Sequence, residues 1–157
     1  MYLCKLLKFW GMSRILAIDY GQKRVGIAVT DELQLIANAL VTVETKNIFS
    51  FLEEYTQKET VGLFLVGEPK QMDYTNSSAD KYIAPFVKQL GTQFPDIPII
   101  RIDERFTSKI AFQTMIDAGL GRKARQNKAL VDSISATIIL QTYMESLEYK
   151  KNRNSNK

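Results

Sequence analysis

Three carboxylates in this sequence stand at positions where an apolar side chain is expected. Asp19 follows the apolar run 15–18, which is apolar on both faces of an extended strand because side chains alternate with a period of two. Glu104 ends a second apolar row, and Asp132 lies in line with Ala136 on the packed side of a long helix. A buried carboxylate is costly unless a hydrogen bond, a proton or a cation compensates it. The three acids therefore predict a site at which carboxylates from distant segments converge.

The residue types that are absent narrow the chemistry of such a site. The chain has no histidine and a single cysteine, Cys4. This composition excludes Ser-His and Cys-His catalysis, imidazole-ligated metals, a zinc site built from cysteine and histidine, and a disulfide within the chain. Converging oxygen ligands favour Mg²⁺ or Mn²⁺ as the cofactor.

Each acid also has a separate explanation that needs no metal. Asp19 fits a turn-capping aspartate, Glu104 a solvated acid at the end of a strand, and Asp132 a first-turn residue stabilised by the helix dipole. The joint pattern favours a metal site, because all three acids interrupt rows that otherwise face the core.

A cluster of basic residues without an acid precedes Asp132. Its members are Arg122, Lys123, Arg125 and Lys128. Such a run fits either a solvated loop or a loop that clamps a phosphate backbone, and its proximity to Asp132 supports the second interpretation. Lys23, Arg24 and Arg105 are further candidates for nucleic-acid binding.

The net charge of the 157-residue chain, +4, adds little to this interpretation. It arises from a C-terminal tail that contains four basic residues and no acid, and the rest of the chain is balanced. The charge of the whole chain is therefore a weak indication of nucleic-acid binding, and the local cluster of basic residues before Asp132 is the stronger one.

The hydrophobic pattern predicts an α/β domain. Three short strands near 15–20, 25–30 and 40–43 are expected to form an antiparallel meander. Helices are predicted at 47–59, 77–90, 107–118 and 130–148, and strands at 61–66 and 97–103. Pro85 is expected to kink or split the second helix. Two helix-strand alternations after a meander indicate a mixed sheet.

The expected domain organisation is simple. Residues 13–149 are predicted to form one domain, preceded by an N-terminal appendage at 1–12 and followed by a disordered basic tail at 150–157. Met12 directly precedes the first strand, so the start of the chain at Met1 is open to doubt. No membrane segment is predicted, and a cytoplasmic location is expected.

Four motifs in this sequence resemble those of the bacterial Holliday-junction-resolvase-like family, in the same order and spacing. They are Asp-Tyr-Gly (19–21) with Val-Gly-Ile-Ala-Val (25–29), Val-Gly-Glu-Pro-Lys-Gln-Met-Asp (66–73), Asp-Glu-Arg-Phe-Thr-Ser (103–108) and Lys-Ala-Leu-Val-Asp-Ser-Ile-Ser-Ala (128–136). The resemblance covers about 14–144. Members of this family are described as nucleases that mature the precursor of 16S ribosomal RNA.

The resemblance implies a ribonuclease H-like fold: a five-stranded mixed sheet, three strands antiparallel and then two parallel, with helices on both faces. Its acidic triad falls on Asp19, Glu104 and Asp132, which would hold two divalent ions for phosphodiester hydrolysis. The implied function is processing of the 5′ end of precursor 16S ribosomal RNA during ribosome biogenesis, with the ribosome as a candidate partner. Glu68 departs from the family pattern as a fourth acid, placed either in the metal site or solvated at its rim.

The sequence leaves three alternatives to this function. A Holliday junction resolvase would act on branched DNA and would need a symmetric dimer, which the sequence does not disclose. A non-catalytic nucleic-acid-binding module on the same fold is a second alternative, which the intact acid set disfavours. A nucleotide binder of the sugar-kinase and actin type would need a second domain, for which the chain is too short.

Overall fold

A five-stranded mixed sheet organises the computed structural model, which describes residues 12–68, 80–103, 113, 116–119 and 121–155. The strands are β1 (Arg14–Tyr20), β2 (Arg24–Thr30), β3 (Ala37–Glu44), β4 (Val61–Glu68) and β5 (Ile99–Asp103). Their order is β3-β2-β1-β4-β5, so β1 is central. The β1–β2 and β2–β3 pairs are antiparallel, and the β1–β4 and β4–β5 pairs are parallel. The predicted mixed sheet is thereby confirmed.

Helices cover both faces of this sheet. They are α1 (Ile48–Lys58), α2 (Asp80–Gln93), α3 (Arg122–Arg125) and α4 (Lys128–Ser155), with a 3-10 turn over Thr45–Asn47 before α1. Because both faces of the central strand are apolar, each must be buried by a helical layer. The helices therefore follow from the composition of β1 and its neighbours.

The two faces of the sheet carry two separate cores. On one face, Leu16 and Ile18 of β1 pack with buried residues of α1 and α2, such as Leu52 and Phe86. On the other, a smaller cluster joins the sheet to α4; its buried members are Ile15, Ala17, Ala28, Leu65, Ala136, Ile139 and Leu140. Alanines at three of these positions allow α4 to lie close to the strands. The side that holds α4 is called the α4 face below.

Pro85 lies inside α2 without dividing it. Of the two predicted outcomes, a split of the helix is therefore wrong, and a kink stays a prediction. Ile83 and Phe86, on either side of the proline, are buried, and their burial holds this part of the helix on the sheet.

The C-terminal helix is longer than predicted. It continues to Ser155, so the expectation that 150–157 is disordered is wrong for residues 150–155. No glycine or proline interrupts the segment after Tyr149, and Lys150, Lys151 and Arg153 lie near the end of the helix, where its dipole favours positive charge.

Two expectations lie largely outside the described residues. Of the appendage at 1–12 only Met12 is described, and of the predicted helix at 107–118 only residues 113 and 116–118. Within the described part of the chain, no helix has the length and apolar character needed to cross a membrane.

Candidate functional site

Gly26 of β2 lies in close backbone contact with α4. A Cβ atom on this glycine would overlap the main-chain carbonyl of Asp132 and would lie 3.0 Å from the main-chain nitrogen of Ser133. The backbone of the first turns of α4 therefore lies directly on the backbone of β2. A side chain of any size at position 26 would push Asp132 away from the sheet.

The strand register brings Asp19 to the same place. Asp19 pairs with Gly26 across the antiparallel β1–β2 ladder, and directly opposed residues project to the same face. Asp19 also continues the row of Ile15 and Ala17, which pack against α4. Asp19 and Asp132 thus lie on one face of the sheet, on either side of the contact at Gly26. Two of the three predicted site acids are brought together.

Arg24 provides a cation for one of these acids. Its Nε atom donates to Oδ2 of Asp132 at 2.9 Å, across 108 positions of sequence. The side chains are 36% and 25% exposed, so the pair is partly shielded from water. The sequence reasoning considered Arg24 only for nucleic-acid binding and missed this partner. The sequence indicates only that Arg24 and Gly26, two residues apart in one strand, share a face, whereas the position of Asp132 over that face is a tertiary property.

We expect Arg24→Gln to lower the free energy of unfolding by about 1 kcal/mol, because a partly shielded ion pair is worth more than an exposed one. Chemical denaturation of Arg24→Gln, Asp132→Asn and the double variant would measure the coupling directly. Lys58→Gln is a matched control, since the Lys58–Glu54 pair is 71% and 68% exposed. A coupling energy no larger than that of the control pair would contradict the expectation.

The third predicted acid cannot be placed in the same way. Glu104 follows β5 and lies outside the described residues, as does Arg105. Within the described parts of the chain, no group of three or more histidine, cysteine, aspartate or glutamate residues is arranged to hold a metal ion. The pair formed by Asp19 and Asp132 nevertheless has the hard oxygen donors that Mg²⁺ and Mn²⁺ prefer. Metal binding by the three acids stays a prediction.

Glu68 is the last residue of β4. It continues the row of Phe64 and Val66 on β4, and both of those residues belong to the core under α1 and α2. Alternation along the strand therefore directs Glu68 to the face opposite Asp19. This direction disfavours Glu68 as a metal ligand, and its place in the metal site or at its rim stays a prediction.

The predicted basic cluster borders the N-terminal end of α4. Arg122 and Lys123 lie in α3, Lys128 is the first residue of α4, and all three are exposed. The segment predicted as a loop thus begins with a short helix, in which the Gln126 N–H donates to the carbonyl of Arg122 at 3.1 Å. Arg125 belongs to α3 as well.

A surface cavity of about 510 Å³ opens beside Arg24. It is lined by Gln22, Lys23, Arg24, Glu44, Thr45 and Lys46. The β1–β2 turn is fixed against the 3-10 turn, because the Thr45 hydroxyl donates to the Gly21 carbonyl at 2.7 Å and the Thr45 N–H donates to the Lys23 carbonyl at 3.0 Å. The cavity thereby joins the predicted Lys23 to Lys46, a cation that sequence reasoning did not select.

Comparisons with known proteins give one family. Residues 13–146 match the family model described as RuvX: Holliday junction resolvase. A protein of Phocaeicola vulgatus named "Putative pre-16S rRNA nuclease" is 59% identical over 138 residues, which are 88% of this chain and 99% of that protein. A protein of Flavobacterium johnsoniae with the same name is 56% identical over 138 residues, 88% of this chain and 100% of that protein.

Solved structures resemble the fold. The structure of T. thermophilus RuvC in complex with a Holliday junction substrate aligns with a TM-score of 0.52 at 16% identity, over 86% of this chain and 96% of that chain. The T. thermophilus RuvC structure described without a substrate gives a TM-score of 0.51 at 15% identity, over the same shares of the two chains. At such identities the likeness establishes the fold alone, and that fold is ribonuclease H-like.

Proposed function

The chain belongs to the RuvX family, and from this membership we propose that it is a metal-dependent nuclease that processes the 5′ end of precursor 16S ribosomal RNA. Relatives that share more than half of their residues with this chain carry the name of a pre-16S rRNA nuclease, which supports the substrate. The proposed setting is the cytoplasm, during ribosome biogenesis.

The observation that carries the catalytic part of the proposal is the contact at Gly26. It brings the backbone of Asp132 onto the strand that pairs with Asp19, so two carboxylates share one end of the α4 face. Glu104 is proposed as the third ligand, because it comes two positions after Ile102, which packs in the cluster under α4. β5 is separated from β1 by β4 alone, at about 4.8 Å per strand.

The carboxylate oxygens of the proposed site indicate which reaction it supports. Mg²⁺ or Mn²⁺ held by carboxylates activates a water molecule and stabilises the departing oxygen when a phosphodiester is hydrolysed. Asp19, Asp132 and Glu104 would hold the ions, and the ion pair with Arg24 would restrain the Asp132 carboxylate in position. The proposed products carry a 5′-phosphate and a 3′-hydroxyl.

Substrate binding is proposed for the two groups of cations that border this end of the α4 face. One comprises Lys23 and Lys46 in the cavity beside Arg24, and the other comprises Arg122, Lys123 and Lys128 near the start of α4. Arg125 and Arg105 remain proposed members from the sequence. Contacts of this kind neutralise phosphates without reading bases, so binding should weaken steeply as salt is added.

A four-way DNA junction is the second candidate substrate. The family description names a Holliday junction resolvase, which favours it. Resolving a junction requires two cleavages arranged symmetrically, and therefore a dimer. The two candidates thus differ in substrate and in oligomeric state.

The experiment that tests the proposal compares the two substrates in parallel. We expect the purified chain with Mg²⁺ or Mn²⁺ to shorten a precursor 16S transcript at its 5′ end, and a chelator to stop the reaction. Faster cleavage of a four-way DNA junction by a dimer would assign the resolvase function instead. If the chain binds either nucleic acid but cleaves neither at any concentration of divalent ion, the proposed nuclease activity is refuted. The chain would then be a nucleic-acid-binding module.

A further inference from the structure

A shallow groove of about 340 Å³ lies between the loop after β2 and the C-terminal half of α4. Its apolar lining residues are Leu35, Ile36, Ala37 and Met144, and its polar ones are Gln141, Glu145 and Glu148 of α4. Leu35 is 69% exposed and Ile36 is 62% exposed. This feature is called the α4 groove below. An exposed apolar surface bordered by acids fits a segment that is both apolar and basic.

The loop that forms one wall of the groove is held in place. The Asp31 carboxylate accepts hydrogen bonds from the N–H groups of Leu35 and Ile36, both at 2.8 Å, and from that of Leu33 at 3.2 Å. The hydrogen bond from Ile36, with those from Leu35 and Leu33, lowers the pKa of the Asp31 carboxyl. Gln34 adopts a left-handed conformation with φ of 57°. Leu35 and Ile36 are thus presented to solvent by an ordered loop.

The N-terminal segment of the chain begins beside this loop. The side-chain amide of Gln34 donates to the main-chain carbonyl of Ser13 at 2.9 Å, and Arg14 Nη1 donates to the carbonyl of Thr30 at 3.0 Å. Any residue that precedes Met12 therefore continues from a point adjacent to the α4 groove. Eleven residues in extended form reach about 36 Å, so the length of the segment 1–11 does not limit its access.

The composition of the segment matches the groove. Residues 1–11 contain leucine, phenylalanine and tryptophan side chains together with Lys5 and Lys8, and no acid. The two lysines are three positions apart, as are Glu145 and Glu148 on α4. Both the apolar and the acidic lining residues of the groove thus have a counterpart in the segment.

We propose that residues 1–11 dock in the α4 groove, with their apolar side chains on Leu35, Ile36 and Met144 and with Lys5 and Lys8 opposite Glu145 and Glu148. The docked segment covers apolar surface next to β3, an edge strand among the described residues, and so opposes association with a second copy. Glu145 lies about 20 Å along α4 from Asp132, at 1.5 Å per residue. The proposal is therefore independent of the proposed nuclease site.

Trp10 allows a direct test, because it is the only tryptophan of the chain. In the full chain we expect blue-shifted tryptophan emission that acrylamide quenches poorly. Ile36→Ser should lower the ratio of docked to free segment about tenfold, by removing one apolar contact, and should shift the emission to the red. Leu33→Ser is the matched control: Leu33 is 65% exposed on the same loop but does not line the groove, so the emission should not change.

Charge reversal and cross-linking test the same docked state. Glu145→Lys with Glu148→Lys should release the segment, and Lys5→Glu with Lys8→Glu added to that variant should restore docking. Cys4, the only cysteine, should form an intramolecular disulfide under an added oxidant when Gln141→Cys is introduced in the groove, and not with Leu33→Cys. Emission like that of free indole in the full chain would overturn the proposal. Emission that shifts with protein concentration would assign the groove to a second copy and would also overturn it.

Discussion

Asp19→Asn is expected to reduce metal-dependent cleavage by about a thousandfold, since each lost carboxylate ligand removes several kcal/mol of transition-state stabilisation. The substitution preserves the shape of the side chain, and Asp19 stays opposite Gly26 in the β1–β2 ladder. Binding of the nucleic acid should persist, because it rests on cations outside β1. Single-turnover cleavage and a binding titration on one preparation would separate the two effects.

The same variant has a second readout in stability. If Asp19 and Asp132 share divalent ions, Mg²⁺ or Mn²⁺ should raise the melting temperature of the unsubstituted chain by binding the folded state. Asp19→Asn should abolish most of this rise. Asp96→Asn is the matched control, because Asp96 is an exposed residue that precedes β5, at the other end of the sheet. Undiminished cleavage by Asp19→Asn would exclude Asp19 as a ligand.

Gly26→Ala is expected to lower the free energy of unfolding by about 3 kcal/mol, because a methyl group forced into a packed contact moves the backbone around it. The added Cβ would occupy the position of the Asp132 carbonyl, so either α4 or β2 must shift. A shift of α4 also disturbs the buried residues Ile139 and Leu140. Cleavage should fall together with stability, since the displaced Asp132 no longer faces Asp19.

A glycine in α2 provides the control for this substitution. A Cβ on Gly91 would meet only the Cδ1 atom of Ile99 at an ordinary 3.7 Å. Gly91→Ala should therefore stabilise the protein by up to about 1 kcal/mol through helix propensity. Chemical denaturation of the two variants should give opposite signs. Equal and small effects would show that α4 does not rest on the backbone of β2.

Much of the fold could be predicted from the period of the apolar residues. Asp19 could be assigned to a packed face because it follows Ile15 and Ala17 at intervals of two residues along the strand. The structure confirms that this row of β1 faces α4. The pairing of Arg24 with Asp132 could not be obtained in this way. It depends on the strand register and on the position of α4 over Gly26, which are tertiary properties.

Two further predictions depend on different physical properties. Glu68 was considered for the site because it ends a strand beside β1, whereas its alternation with Phe64 and Val66 directs it to the opposite face. The end of α4 was placed too early because the polar composition after Glu148 resembles that of a disordered tail. In the structure the helix continues through this polar stretch to Ser155.

The contact between Gly26 and Asp132 joins two segments that are synthesised at different times. Asp19 and Gly26 leave the ribosome early, whereas Asp132 belongs to the last described helix, so a nascent chain presents the first carboxylate long before the second. Until α4 emerges, the sheet has one uncovered face and an incomplete set of acids. A site that needs both Asp19 and Asp132 is therefore complete only when nearly all of the described domain has been made.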